Sequence, residues 1–103
     1  MNQQSSNPGL PLRTELLLAR ARRAQQRGER RQALVALREA TLLAECDAKL
    51  WALYGSACAK ANRVDEAERA FSQALFHRQR ERDAPRVNSL RNAMARLGLG
   101  RAA

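Results

Sequence analysis

Apolar residues recur at three- and four-residue steps in five successive stretches of the chain, with polar residues between them. That is the spacing of amphipathic helices. The first stretch runs from about Leu10 to Arg27, with Leu10, Leu17, Ala21 and Ala24 on one face and Leu16 and Leu18 widening it. Gly28 stops it. The second runs from about Arg31 to Ala44 and lines up Ala33, Leu34, Leu37, Ala40 and Leu43. A turn at Glu45–Asp47 follows, where Asp47 is placed to cap the third helix. That helix carries Leu50, Trp51, Tyr54, Gly55 and Cys58 to about Ala61, and Asn62, which tolerates left-handed backbone, ends it. Asp65, Glu66 and Glu68 open the fourth helix near its positive end, and it continues through Ala67, Ala70, Phe71, Ala74 and Leu75 to about Gln79. Asp83 and Pro85 start the fifth, whose Val87, Leu90, Met94 and Leu97 form one stripe closed by Gly98. The polar segment 1–9 is expected to be a disordered tail, and 99–103 a loose one.

The stretch from Trp51 to Leu75 sets the organisation. Two helices joined by about three residues must fold back on each other, so Gly55 and Ala67 mark the close approach. Trp51, Tyr54, Phe71 and Leu75 are expected to fill the space around it. Sliding the chain against itself by 34 residues superimposes two such hairpins. Leu17 meets Trp51, Ala21 meets Gly55, Ala24 meets Cys58 and Gly28 meets Asn62. Ala33 meets Ala67, Ala36 meets Ala70, Leu37 meets Phe71 and Ala40 meets Ala74. Size classes match along both helices and the turn.

Trp51, Tyr54, Gly55, Ala67, Phe71 and Ala74 give the second copy a pattern that resembles the tetratricopeptide repeat family. The first copy departs from it at Leu17 and Arg20, and neither copy keeps a closing proline, Glu45 and Gln79 standing there instead. The resemblance implies an all-α fold over 10–98: repeat one at 14–47, repeat two at 48–81 and a capping helix at 84–97, wound as a right-handed α-solenoid. It also implies a concave groove that takes a peptide or amphipathic helix of a protein partner. Carried onto this chain, the groove is lined by Leu18, Arg22, Gln25 and Gln26 of the first copy, Lys49, Ala52, Ser56, Ala59 and Lys60 of the second, and Asn88 and Asn92 of the last helix. A narrower resemblance, through Trp51-Ala52-Leu53 and the later Pro85-Arg86-Val87 and Met94, is to small bacterial type III secretion chaperones of tetratricopeptide type. The family's carboxylate-clamp subtype is not matched, since only Lys49 falls at one of its positions.

Composition narrows the picture. Three Val, two Thr and no Ile leave little material for a sheet. The net charge is +9, and seventeen of nineteen cations are arginine, so an acidic guest is expected in the groove. The alternative is contact between the arginine-rich first hairpin and nucleic acid, or another acidic surface. Two repeats and a cap make a short array, so self-association through Phe76 or the Leu12/Leu16 side is a further expectation.

Candidate chemistry is sparse. The lone His77 has no nucleophile or carboxylate spaced to work with it, and no phosphate-binding, zinc-protease or nucleophile-elbow motif occurs. No cofactor or enzymatic activity is expected. Cys46 falls in a turn and Cys58 in a helix core, which makes no disulfide framework and fits a reduced, cytoplasmic protein. Neither a secretory leader nor a membrane-spanning run is read in the sequence.

Overall fold

The computed structural model describes residues 9–99, with side chains from Leu12 onward. The described residues form five α-helices and no strand: α1 (Gly9–Gln26), α2 (Arg30–Leu43), α3 (Ala48–Lys60), α4 (Val64–Arg80) and α5 (Ala84–Arg96). Each lies within a residue or so of the span its hydrophobic period predicts. The expected tail at 1–9 contributes Gly9 to α1 and otherwise lies outside the described residues, as do positions 100–103 of the C-terminal one.

The chain divides into two compact units, Met1–Ala44 and Glu45–Ala103. In the first, α1 packs against α2. Its core is made by Leu17, Ala21 and Ala24 from α1 and by Ala33, Leu34, Ala36, Leu37 and Ala40 from α2. In the second, α4 packs against both α3 and α5. Ala48, Leu50, Tyr54, Gly55, Ala57 and Cys58, then Ala67, Ala70, Phe71 and Ala74, then Val87, Leu90 and Met94 are its buried residues from the three helices. Burial recurs at the 34-residue shift where the helices of each pair touch: Ala21, Ala24, Ala33, Ala36, Leu37 and Ala40 are buried, as are Gly55, Cys58, Ala67, Ala70, Phe71 and Ala74. Helix α3 also buries Leu50, Tyr54 and Ala57 where α1 exposes Leu16, Arg20 and Arg23.

Helix ends follow local chemistry. Gly28, Asn62, Arg82 and Gly98 adopt left-handed φ values of 75°, 63°, 57° and 75°. Each ends its helix with a back-pointing pair of amide bonds, the one that spans five residues running from Glu29 to Ala24 (2.8 Å), Arg63 to Cys58 (2.8 Å), Asp83 to Arg78 (3.1 Å) and Leu99 to Met94 (2.8 Å). Asp47 and Asp83 cap as their side chains suggest. Asp47 accepts from the Lys49 and Leu50 amides (3.0 and 3.3 Å) and Asp83 from that of Arg86 (3.2 Å).

Several positions differ from expectation, among them Leu16 and Leu97, which are exposed rather than part of the inward faces of α1 and α5. Trp51 is half-buried rather than core, because its indole N–H donates to the Glu45 carbonyl (2.7 Å) and so ties the ring to the turn before α3. Leu75 and Leu43 are also half-buried. In place of Leu43, α2 buries Thr41, whose hydroxyl is satisfied by donating to the Arg38 carbonyl (2.7 Å). Leu99 is buried and belongs to the α5 terminus, not to a loose tail.

Candidate binding groove

The second unit carries a concave surface built from three helices. Helix α4 runs beneath α3 and α5, and its Phe71 and Arg78 reach a groove of about 400 Å³ between them. From α3 the walls are Lys49, Ala52, Leu53 and Ser56; from α5 they are Arg86, Ser89, Leu90 and Ala93. Both sets step by three and four residues, so each helix offers one continuous ridge. Small and aliphatic side chains make most of the lining. Gly55 allows the floor to be this deep, since it lets the Phe71 ring lie directly against the α3 backbone.

Cations gather at one end. A second hollow of about 820 Å³ is lined by Cys46, Asp47, Ala48, Lys49, Arg78, Glu81 and Arg86, and shares Lys49, Arg78 and Arg86 with the groove. Arg78 donates to Glu81 (3.2 Å) and Arg86 to Asp83 (2.8 Å). The Arg86 guanidinium holds the Asp83 carboxyl below its usual range, and Asp83 in turn pushes Arg86 up. Lys49 has no ion-pair partner among the described residues. The groove is therefore apolar along its length, with Lys49, Arg78 and Arg86 gathered at one mouth beside the carboxylates of Asp47 and Glu81.

Three of the expected contact residues come together here: Lys49, Ala52 and Ser56. Ala59 and Lys60 lie further along α3, half-buried and exposed respectively, outside the lining. Asn88 belongs to a separate hollow of about 410 Å³ with Gln79, Arg82, Asp83, Ala84, Val87 and Arg91, and Asn92 is exposed on α5 outside all three concavities. On α1, in the first unit, Leu18 is half-buried while Arg22, Gln25 and Gln26 are exposed. Sequence reasoning missed Leu53, Arg78, Arg86, Ser89 and Ala93. The signal was present in the 86–89–93 spacing, which repeats the 49–52–56 spacing of α3.

Away from the groove, Tyr54 is held between two elements. Its hydroxyl donates to Glu66 (3.1 Å), which also accepts from Arg63 (3.0 Å). Burial, then the neighbouring Cys58 thiol and the Glu66 carboxylate, push the phenol well above its ordinary range. Burial likewise raises Cys58, while the bonds from Arg63 and Tyr54 lower Glu66. His77 is half-buried and meets Phe76 edge-on at 5.2 Å, and Arg80 lies over the same ring at 5.5 Å. Among the described residues there is no cluster of three or more His, Cys, Asp or Glu that could hold a metal ion, and no helix long and apolar enough to cross a membrane. No protein-family model, curated protein or solved structure matches the chain.

Proposed function

We propose that this chain is a short helical-repeat module of the tetratricopeptide type that captures a segment of a protein partner. The observation that carries the reading is the groove over Phe71, walled by two parallel-stepping ridges and lined mainly by small and aliphatic side chains. A pocket built for small-molecule chemistry concentrates convergent polar groups; this one places its charged groups at one end and leaves its length apolar. Such a surface suits an amphipathic helix, whose side chains at i, i+3, i+4 and i+7 enter the groove. The guest's charge follows from Lys49, the cation at the mouth with no ion-pair partner among the described residues, and from the overall charge of +9: its end or flank is acidic. The 34-residue repetition of sequence and of burial supports the repeat assignment. On this reading the protein is a cytoplasmic adaptor or chaperone without chemistry of its own, and α5, with Asn88, Arg91 and Asn92 exposed, is its solvating cap.

Panning a displayed library of random peptides on the purified chain tests this. Enriched peptides are expected to combine acidic residues with aliphatic ones at helical spacing. They should lose binding to Ala52→Arg/Ser89→Arg, a variant that fills the groove while keeping its positive charge. Equal binding to that variant, or no enrichment on the parent chain, would sink the groove reading.

A further inference from the structure

The first unit has a charged surface that the groove does not use. It holds eight arginines, Arg13, Arg20, Arg22, Arg23, Arg27, Arg30, Arg31 and Arg38, and no lysine or aromatic residue at all. All eight are exposed, and none forms an ion pair among the described residues. The second unit treats its arginines differently, pairing Arg63, Arg78 and Arg86 with Glu66, Glu81 and Asp83.

The placement along α1 and onto Arg27, the first residue of the turn after it, is ordered. Arg13, Leu16, Arg20, Arg23 and Arg27 follow one another at steps of three, four, three and four, which puts them on a single ridge. At 1.5 Å per residue that ridge is about 21 Å long. Arg22 stands off it. Beyond the turn at Gly28, Arg30 and Arg31 begin α2, whose first turn has no acidic residue and whose N-cap, Glu29, is the single carboxylate beside them. Like charges at three- and four-residue spacing destabilise a helix, and arginine at the positive end of α2 opposes the helix dipole. A merely solvated face would not need this arrangement. At the shifted positions α3 has Asp47, Leu50, Tyr54, Ala57 and Ala61, where Leu50, Tyr54 and Ala57 are buried. The arginine ridge is thus particular to α1.

We infer that the α1 ridge binds the phosphate backbone of double-stranded nucleic acid without reading sequence, at a surface separate from the peptide groove. Guanidinium groups donate paired hydrogen bonds to phosphate oxygens. Single strands are gripped through stacking on aromatic side chains, which this unit lacks, so the duplex backbone is the partner its chemistry fits. The affinity comes from counterion release and falls with salt.

Fluorescence anisotropy with a labelled random-sequence DNA duplex over a salt series tests the assignment. The parent chain should bind at low salt with a linear fall of log K against log salt. Arg20→Gln/Arg23→Gln/Arg27→Gln should lower the magnitude of that slope by about 2.7, three phosphate contacts at about 0.9 each. Arg69→Gln/Arg91→Gln/Arg96→Gln in the second unit, which removes the same charge, should leave the slope nearly unchanged, and circular dichroism checks that both variants stay folded. Equal loss from the two variants would reduce the effect to net charge and overturn the assignment. So would tighter binding of the matching single strand, displacement by polyglutamate at equal charge concentration, or no binding at low salt.

Discussion

Gly55 is a glycine because Phe71 lies against it. A β-carbon at Gly55 would stand 2.9 Å from Phe71 Cδ2, 3.0 Å from Cε2 and 3.2 Å from Cγ, and the buried ring has little room to retreat. The matching pair in the first unit is Ala21 and Leu37, both buried. One methyl on the third-helix side is exchanged for a larger group on the fourth. Gly55→Ala should therefore cost about 1–3 kcal/mol of overpacking, offset by up to ~1 kcal/mol of helix propensity. Gly55→Leu should prevent the second unit from folding. The double variant Gly55→Ala/Phe71→Leu copies the first unit's pair and should recover much of the loss. A double-mutant cycle by urea denaturation checks this; additive effects would show that the two positions do not press on each other.

Tyr54 makes stability depend on alkaline pH. Its hydroxyl is raised from an ordinary 10.0, and the Cys58 thiol from 9.0, mainly by burial. In both cases the folded state holds its proton where the unfolded state has lost it. The contribution is whole below the ordinary values and drains away as pH rises through the folded ones. Thermal midpoints should be flat near neutrality and fall above about pH 9 to 10, and Tyr54→Phe should flatten part of that fall. Tyr54 is the single tyrosine, so phenolate absorbance reports it directly. Phenolate appearing near pH 10 while circular dichroism stays native would contradict the burial argument. Glu66 works in the opposite sense: bonds from Arg63 and Tyr54 depress it from 4.5, so its contribution is lost only as pH falls below that value.

Helix ends were the most legible part of the fold, because single residues announce them. Gly28 and Asn62 suit left-handed backbone, and Asp47 and Asp83 carry the oxygens that cap α3 and α5. The inward faces were legible from period in outline, although Leu16 and Leu97, which the period placed on them, are exposed. Residues whose place depends on a side-chain bond to the backbone were not. Trp51 reads as core, but its indole N–H needs an acceptor and finds the Glu45 carbonyl at the surface. Thr41 reads as an indifferent helix position, yet it is buried with its hydroxyl turned back onto Arg38. The groove was half legible. The α3 wall fell on expected residues, whereas the α5 wall required knowing that α4 also packs on α5.

Asp47 is a strong local determinant in the second unit. Its carboxylate takes two amides of the first turn of α3, those of Lys49 and Leu50. Asp47→Ala should lower stability by about 0.5–2 kcal/mol, and Asp47→Asn by much less, since the amide oxygen can accept the same bonds. Urea midpoints distinguish the two. Equal losses would mean that charge near the helix dipole, not the cap bonds, is what Asp47 supplies.

Arg82 is the position where local preference and observed backbone disagree most. Its φ of 57° closes α4 in the left-handed region, where Gly28 and Gly98 serve the other ends and Asn62 is at least tolerant. A β-carbon there costs roughly 1–2 kcal/mol. Glycine removes that cost but loses about 0.4–1 kcal/mol through a freer unfolded chain. The side chain is exposed and forms no ion pair among the described residues, so little else changes. Arg82→Gly should therefore raise stability by up to about 1 kcal/mol, while Gly28→Ala, at a φ of 75°, should lower it. Paired thermal denaturation curves decide the matter. If both variants moved the midpoint in the same direction, helix termination here would rest on something other than left-handed backbone.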